Sequence, residues 1–120
     1  MFSFNFEKLD VWREAIEFAN LIYKLTSKFP EHERFGLTNQ MRRAAVSVSS
    51  NLVEGSSRMS RADFGRFVEI ATGSLFEVVS QANISLNQRF LTRPEYERII
   101  NSAEKQCRML SGLRRSIDQA

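Results

Sequence analysis

The sequence has one cysteine, Cys107, and one histidine, His32, and these two scarcities remove much of the chemistry a domain of this size could carry. A lone thiol gives no disulfide framework, and a lone imidazole in a polar stretch cannot complete a metal site. The five glycines are scattered singly, so there is neither a phosphate-cradling loop nor a nucleophile elbow. No apolar run approaches the length of a membrane span. Glu54, Glu69 and Glu77 could in principle meet inside a helical bundle, yet no Glu-x-x-His pairing accompanies them, and a di-iron centre is not expected. The start, MFSFNFEKLD, lacks a basic region followed by a continuous apolar one, so it does not read as a secretory signal, and a reducing cytoplasm is the expected setting. The expectation is a chain with no catalytic residue, cofactor, metal or small-molecule substrate.

What the sequence does hold is helical periodicity. Its 120 residues suit one domain, expected to span 1–120. The spacing predicts a first helix over Lys8 to Lys28, ended by Pro30, with an apolar arc as wide as half the helix: Leu9, Val11, Trp12, Ala15, Ile16, Phe18, Ala19, Ile22, Tyr23, Leu25 and Phe29. Such an arc is either deeply buried or meets two neighbours. A second helix is expected from Gly36 to Arg58. On it Leu37, Met41, Ala44, Ala45, Val48 and Leu52 form an apolar face, beside a polar line of Arg43, Ser47, Ser50 and Glu54. Ser60 with Asp63 resembles a capping box and opens a third helix to about Arg89, whose core stripe is Phe64, Phe67, Val68, Ala71, Leu75, Val78, Ala82 and Leu86. Ile70, Phe76 and Ile84 fall off that stripe and predict a second contact surface. Gly65 and Gly73 inside this helix suggest close helix approach. Thr92, Pro94 and Glu95 start a fourth helix with the stripe Tyr96, Ile99, Ile100, Ala103, Cys107, Leu110, Leu113 and Ile117, which makes Cys107 a buried, inert thiol. Four long helices with short connections predict an all-α, antiparallel up-down-up-down four-helix bundle. Ahead of it, Phe2, Phe4 and Phe6 alternate with Ser3 and Asn5; an extended arm would either lid its own bundle or reach a neighbouring subunit.

Charge is uneven. From Arg34 to Arg66 six arginines stand against two acidic residues, and from Arg89 to Ala120 seven basic residues stand against four acidic ones. In the antiparallel topology the second and fourth helices run parallel, so Arg58, Arg61, Arg66, Arg114 and Arg115 share one pole. With Arg42 they are the candidate nucleic-acid contacts, whose affinity would fall with salt. The competing reading is that these cations complement helix C-termini or pair with carboxylates, Arg43 with Glu54 or with a neighbouring chain. Arg43, Ser47, Ser50, Asn51, Glu54, Ile70, Phe76 and Ile84 are the candidate oligomer interface.

One stretch carries a family likeness. Arg42-Arg43-Ala44-Ala45-Val46-Ser47-Val48, followed by Ser50-Asn51-Leu52-Val53-Glu54-Gly55, resembles the signature helix of the four-helix bundle proteins called 23S ribosomal RNA intervening-sequence proteins. Leu9-Asp10-Val11-Trp12 with Ala15, Tyr23-Lys24-Leu25-Thr26, Lys28-Phe29-Pro30, Phe64 with Arg66-Phe67, and Gly73-Ser74-Leu75 with Glu77 extend the resemblance over nearly the whole chain. Ser49 departs from it, because a proline is common near this point, and a straighter helix is expected. Such proteins are similar in turn to the accessory proteins of diversity-generating retroelements, which are basic, pentameric and associate with nucleic acid and a reverse transcriptase. The double-faced helices and the polar arginine cluster point to a non-enzymatic, homo-oligomeric scaffold that binds RNA or DNA or a protein bound to it, and the resemblance implies a pentamer. The alternative is a protein-interaction module that assembles and binds no nucleic acid.

Overall fold

Apolar spacing of three and four residues, punctuated by caps, resolves in the computed structural model as four helices among the described residues, which are 1–119: α1 (Asp10–Thr26), α2 (Leu37–Ser56), α3 (Arg61–Asn87) and α4 (Arg93–Gln119). Consecutive helices pack together and α4 closes against α1, while neither diagonal pair meets. This is the all-α four-helix bundle expected, and it is slender, 45 × 28 × 22 Å.

The helix boundaries follow from local chemistry. At Thr92 the capping box is reciprocal: the Thr92 N–H donates to Glu95 Oε1 (2.9 Å) and the Glu95 N–H to Thr92 Oγ1 (3.3 Å). At Ser60 only half of it forms, with the Asp63 N–H donating to Ser60 Oγ at 3.0 Å. Glu33 rather than an N-cap side chain opens α2, its carboxylate accepting from the Leu37 N–H at 3.0 Å. Pro30 precedes a short turn of 3-10 helix, Glu31–Glu33. Gly55 permits the tight turn into α3, because a Cβ there would lie 2.8 Å from Phe67 Cβ and 3.0 Å from Phe64 Cδ1. α2 is uninterrupted through Ser49, whose hydroxyl donates to the Val46 carbonyl.

The core is apolar side chains from all four helices, with Phe18, Ile22, Met41, Leu52, Leu75, Ile99 and Leu110 fully enclosed. Two expectations need correction, and one that stood open is narrowed. The α4 stripe runs through Ile99, Ala103, Gln106, Leu110 and Ile117, so Gln106 is buried and Cys107 is only partly so. At 100° per residue Cys107 stands well to one side of the line through Ile99, Ala103 and Leu110, which Gln106 occupies. The wide arc of α1 is not fully covered within the chain, since Ile16 and Tyr23 stay exposed. Of the two α3 glycines, Gly65 faces the Arg114 guanidinium, which occupies the space a Cβ would need, but nothing lies within 4 Å of a Cβ at Gly73.

The N-terminal arm is extended only at its tip. Asn5–Lys8 form a 3-10 turn that packs on α1 and α2, seating Phe6 against Trp12 with ring centroids 4.9 Å apart.

Candidate nucleic-acid and assembly surfaces

Topology places the start of α1, the end of α2, the start of α3 and the end of α4 at one pole. The arginines there are connected through specific neighbours. Arg58, in the connection after α2, and Arg66, in the second turn of α3, both lie over the Phe67 ring, each with its guanidinium carbon 4.9 Å from the centroid. Arg58 is also within 3.7 Å of Glu54. Arg114 reaches across from α4 to Glu69 (3.2 Å) and back to Asp118 (3.6 Å). With Arg115 it lines an α3–α4 groove of about 370 Å³ that also includes Val68, Glu69, Thr72, Leu110 and Ser111. Arg61, Arg66 and Arg115 make no ion pair with the described residues.

The structure thus gathers Arg58, Arg61, Arg66, Arg114 and Arg115 at one pole, with two of the five already facing carboxylates. Arg42 is not brought there. It sits at the opposite end of α2, where its Nε donates to Thr26 Oγ1 (2.9 Å), a terminal nitrogen donates to the Tyr23 carbonyl, and the guanidinium lies 4.6 Å from the Tyr23 ring. Its charge stands at the C-terminus of α1 and complements the helix dipole, sharing the Tyr23 carbonyl with the Ser27 N–H.

The outward side of α2 is built from small and polar side chains that separate shallow grooves. Arg43 and Ser47 contribute both to an α2–α3 groove of about 400 Å³, with Gln40, Ser74, Glu77 and Gln81, and to an α1–α2 groove of about 580 Å³, with Tyr23, Arg42, Val46 and Ser50. Ser50 continues into a third groove of about 410 Å³ lined by Phe6, Trp12, Ile16, Val53 and Glu54. Ser47 Oγ is 2.8 Å from Ser74 Oγ and accepts from Asn51 Nδ2 at 2.9 Å, so Ser47 and Asn51 are satisfied within the chain. Arg43 makes no ion pair among the described residues; Glu54, three helical turns along α2, faces Arg58 instead.

Of the candidate interface residues on α3, Ile70 is 41%, Phe76 57% and Ile84 47% exposed. Ile70 and Ile84 share a line through Glu77 beside α2, whereas Phe76 points further round, toward the α4 side. Ile16, Tyr23 and Val46 form a second exposed apolar set on the α1–α2 side, which the wide α1 arc signalled without locating. Two glutamines were not anticipated at all: Gln81 Oε1 in the α2–α3 groove and Gln106 Oε1 in the core are buried with no hydrogen-bond partner among the described residues.

No group of three or more His, Cys, Asp or Glu side chains capable of holding a metal occurs among the described residues, and no helix is long and apolar enough to cross a membrane. Burial, and then the Glu104 charge, push the Cys107 thiol upward against a smaller opposing effect of Arg108. The thiol is therefore less ionised near neutrality than a free one.

The family model described as 23S rRNA-intervening sequence protein matches residues 7–112. Among solved structures, a protein with unknown function from the S23 ribosomal protein family of Bacteroides thetaiotaomicron is similar, at 27% identity and a TM-score of 0.77, covering 86% of this chain and 96% of that one. No curated protein matches the chain.

Proposed function

This chain belongs to the 23S rRNA-intervening sequence protein family, and on that premise we propose that it is a non-enzymatic, homo-oligomeric helical scaffold whose arginine-bearing pole binds RNA or DNA. The observation that carries the reading is the exposed apolar side chains on two separate sides of one small bundle, Ile16, Tyr23 and Val46 on the α1–α2 side and, on α3, Ile70 and Ile84 beside α2 with Phe76 further round. Exposed apolar clusters of this kind support contact with protein. Two different patches on one chain support a head-to-tail contact, which closes into a ring when the rotation permits. Five copies are proposed from the resemblance read in the sequence, which implies a similarity to the pentameric accessory proteins of diversity-generating retroelements. Gly73 fits the same picture: a glycine in mid-helix costs about 1 kcal/mol relative to alanine, and its open face leaves room for a neighbouring backbone.

A ring repeats each pole once per copy, so a modest phosphate contact gains avidity. Arg61 and Arg66, with no carboxylate partner among the described residues, are the side chains best suited to it, and Arg115, likewise without one, lies toward the end of α4 at the same pole. A second reading, an assembly module that binds no nucleic acid, is favoured by the ties of Arg58 to Glu54 and of Arg114 to Glu69 and Asp118.

Replacing Arg61, Arg66 and Arg115 together by glutamine separates the two. Under the scaffold reading, affinity for RNA or DNA at low salt falls. The slope of log affinity against log salt shrinks by roughly 0.7–0.9 for each phosphate that the variant no longer neutralises. Unchanged affinity and slope would favour the module.

A further inference from the structure

The N-terminal arm joins the arginine-bearing pole and carries a ladder of aromatic rings. Phe2 and Phe4 meet edge to face at 5.0 Å, Phe4 and Phe6 stack at 5.7 Å with planes 17° apart, and Phe6 meets Trp12 at 4.9 Å. The inner end is anchored, because Phe6 and Trp12 line the groove against α2. The outer end is not: Phe2 is 79% and Phe4 55% exposed. Two phenyl rings left in water forgo the stabilisation of burial, so their exposure in a ladder built on a fixed base calls for an occupant. The surroundings indicate its chemistry. Glu54 lines the same groove as Phe6 and Trp12, Glu54 faces Arg58, and Arg58 shares the Phe67 ring with Arg66. The base of the ladder therefore lines a groove that ends at Glu54, the carboxylate facing the cationic cluster. Lys8, which closes the 3-10 turn of the arm, and Arg61 and Arg66 have no ion-pair partner among the described residues.

Exposed π-faces next to cations match a polyanion that carries flat rings and can turn those rings outward. A duplex keeps its bases stacked inside, whereas a single strand can offer them. From this geometry we infer that the pole is a single-strand site, in which unpaired bases stack on Phe2 and Phe4 while the backbone follows Lys8, Arg61 and Arg66. The inference rests on the nucleic-acid reading above and narrows it to unpaired RNA or DNA. Stacking of a base on an aromatic side chain is tolerant of sequence, so little base preference is expected.

The test measures fluorescence anisotropy of the full chain at low salt, using labelled strands of about 16 nucleotides, a length within reach of known single-strand sites. One strand carries mixed bases, one is abasic with the same sugar-phosphate backbone, and one is the matching duplex. The wild type should hold the base-bearing strand about tenfold more tightly than either other probe. Phe2→Leu with Phe4→Leu keeps apolar volume but removes the rings; it should erase that tenfold advantage and change abasic binding less than twofold. Arg61→Gln with Arg66→Gln should weaken all three probes. Equal wild-type affinity for base-bearing and abasic strands, or a double-leucine variant that binds like wild type, would overturn the stacking site and leave backbone binding intact. Failure of the wild type to bind any probe would remove the underlying nucleic-acid reading as well. A fall in oligomer mass in the double-leucine variant would place the arm in subunit assembly and overturn the site.

Discussion

Arg89 shows how a single residue can sit against its own preference. Its φ of 65° is the only positive φ at a described non-glycine residue, and it ends α3 in a Schellman arrangement. The Phe90 N–H donates to the Ser85 carbonyl at 2.8 Å and the Arg89 N–H to the Leu86 carbonyl at 3.0 Å. A left-handed L-residue costs about 1–2 kcal/mol, partly offset by a cation near a helix C-terminus and by the backbone freedom a glycine would lose on folding. Arg89→Gly should therefore stabilise the fold by about 0.5 kcal/mol and raise the thermal midpoint by roughly 2–3 °C, read by circular dichroism; a lower midpoint would contradict this account of the α3 terminus. Residue-scale features of this kind were poorly legible in the sequence. Neither the positive φ of Arg89 nor the burial of Gln106 in place of Cys107 follows from composition, because a polar side chain at a core position is the choice that periodicity discounts. Thr92 with Glu95 was legible, since its spacing is its mechanism.

At the scale of elements, the four helices and their order could be read directly, because three- and four-residue apolar spacing survives over segments of 17 to 27 residues. Which faces stay uncovered was only half legible. Ile70, Phe76 and Ile84 stood out because they leave a narrow stripe, while Ile16 and Tyr23 were hidden in an arc that read as one continuous face. The two exposed faces give the ring reading a specific test. Tyr23→Glu disables the α1–α2 side and Ile70→Glu with Phe76→Glu the α3 side, and each variant alone should reduce the assembly to small species in light scattering while leaving helix content unchanged. Each variant keeps one sound face, so an equimolar mixture should form a dimer through the two intact surfaces. Should either variant retain the wild-type mass, the corresponding face is not part of the contact; if the mixture yields no dimer, the contact is not head-to-tail.

For the whole molecule, the topology does what no single helix does: it brings the ends of α2 and α4, the starts of α1 and α3, and the aromatic arm to one pole. The sequence placed five arginines there, but it could not tell which would be held by carboxylates, because the Arg114 contact with Glu69 spans two helices. The central claim is that copies of this bundle assemble and present that pole to nucleic acid. Size-exclusion chromatography with multi-angle light scattering, run with and without a mixed RNA and DNA ladder at low and then raised salt, tests it most directly. The predicted result is a species of about 70 kDa, five times the 13.9 kDa chain, that co-elutes with nucleic acid at low salt and releases it as salt rises. A monomer at every salt concentration, or an oligomer that ignores nucleic acid throughout, would contradict the claim.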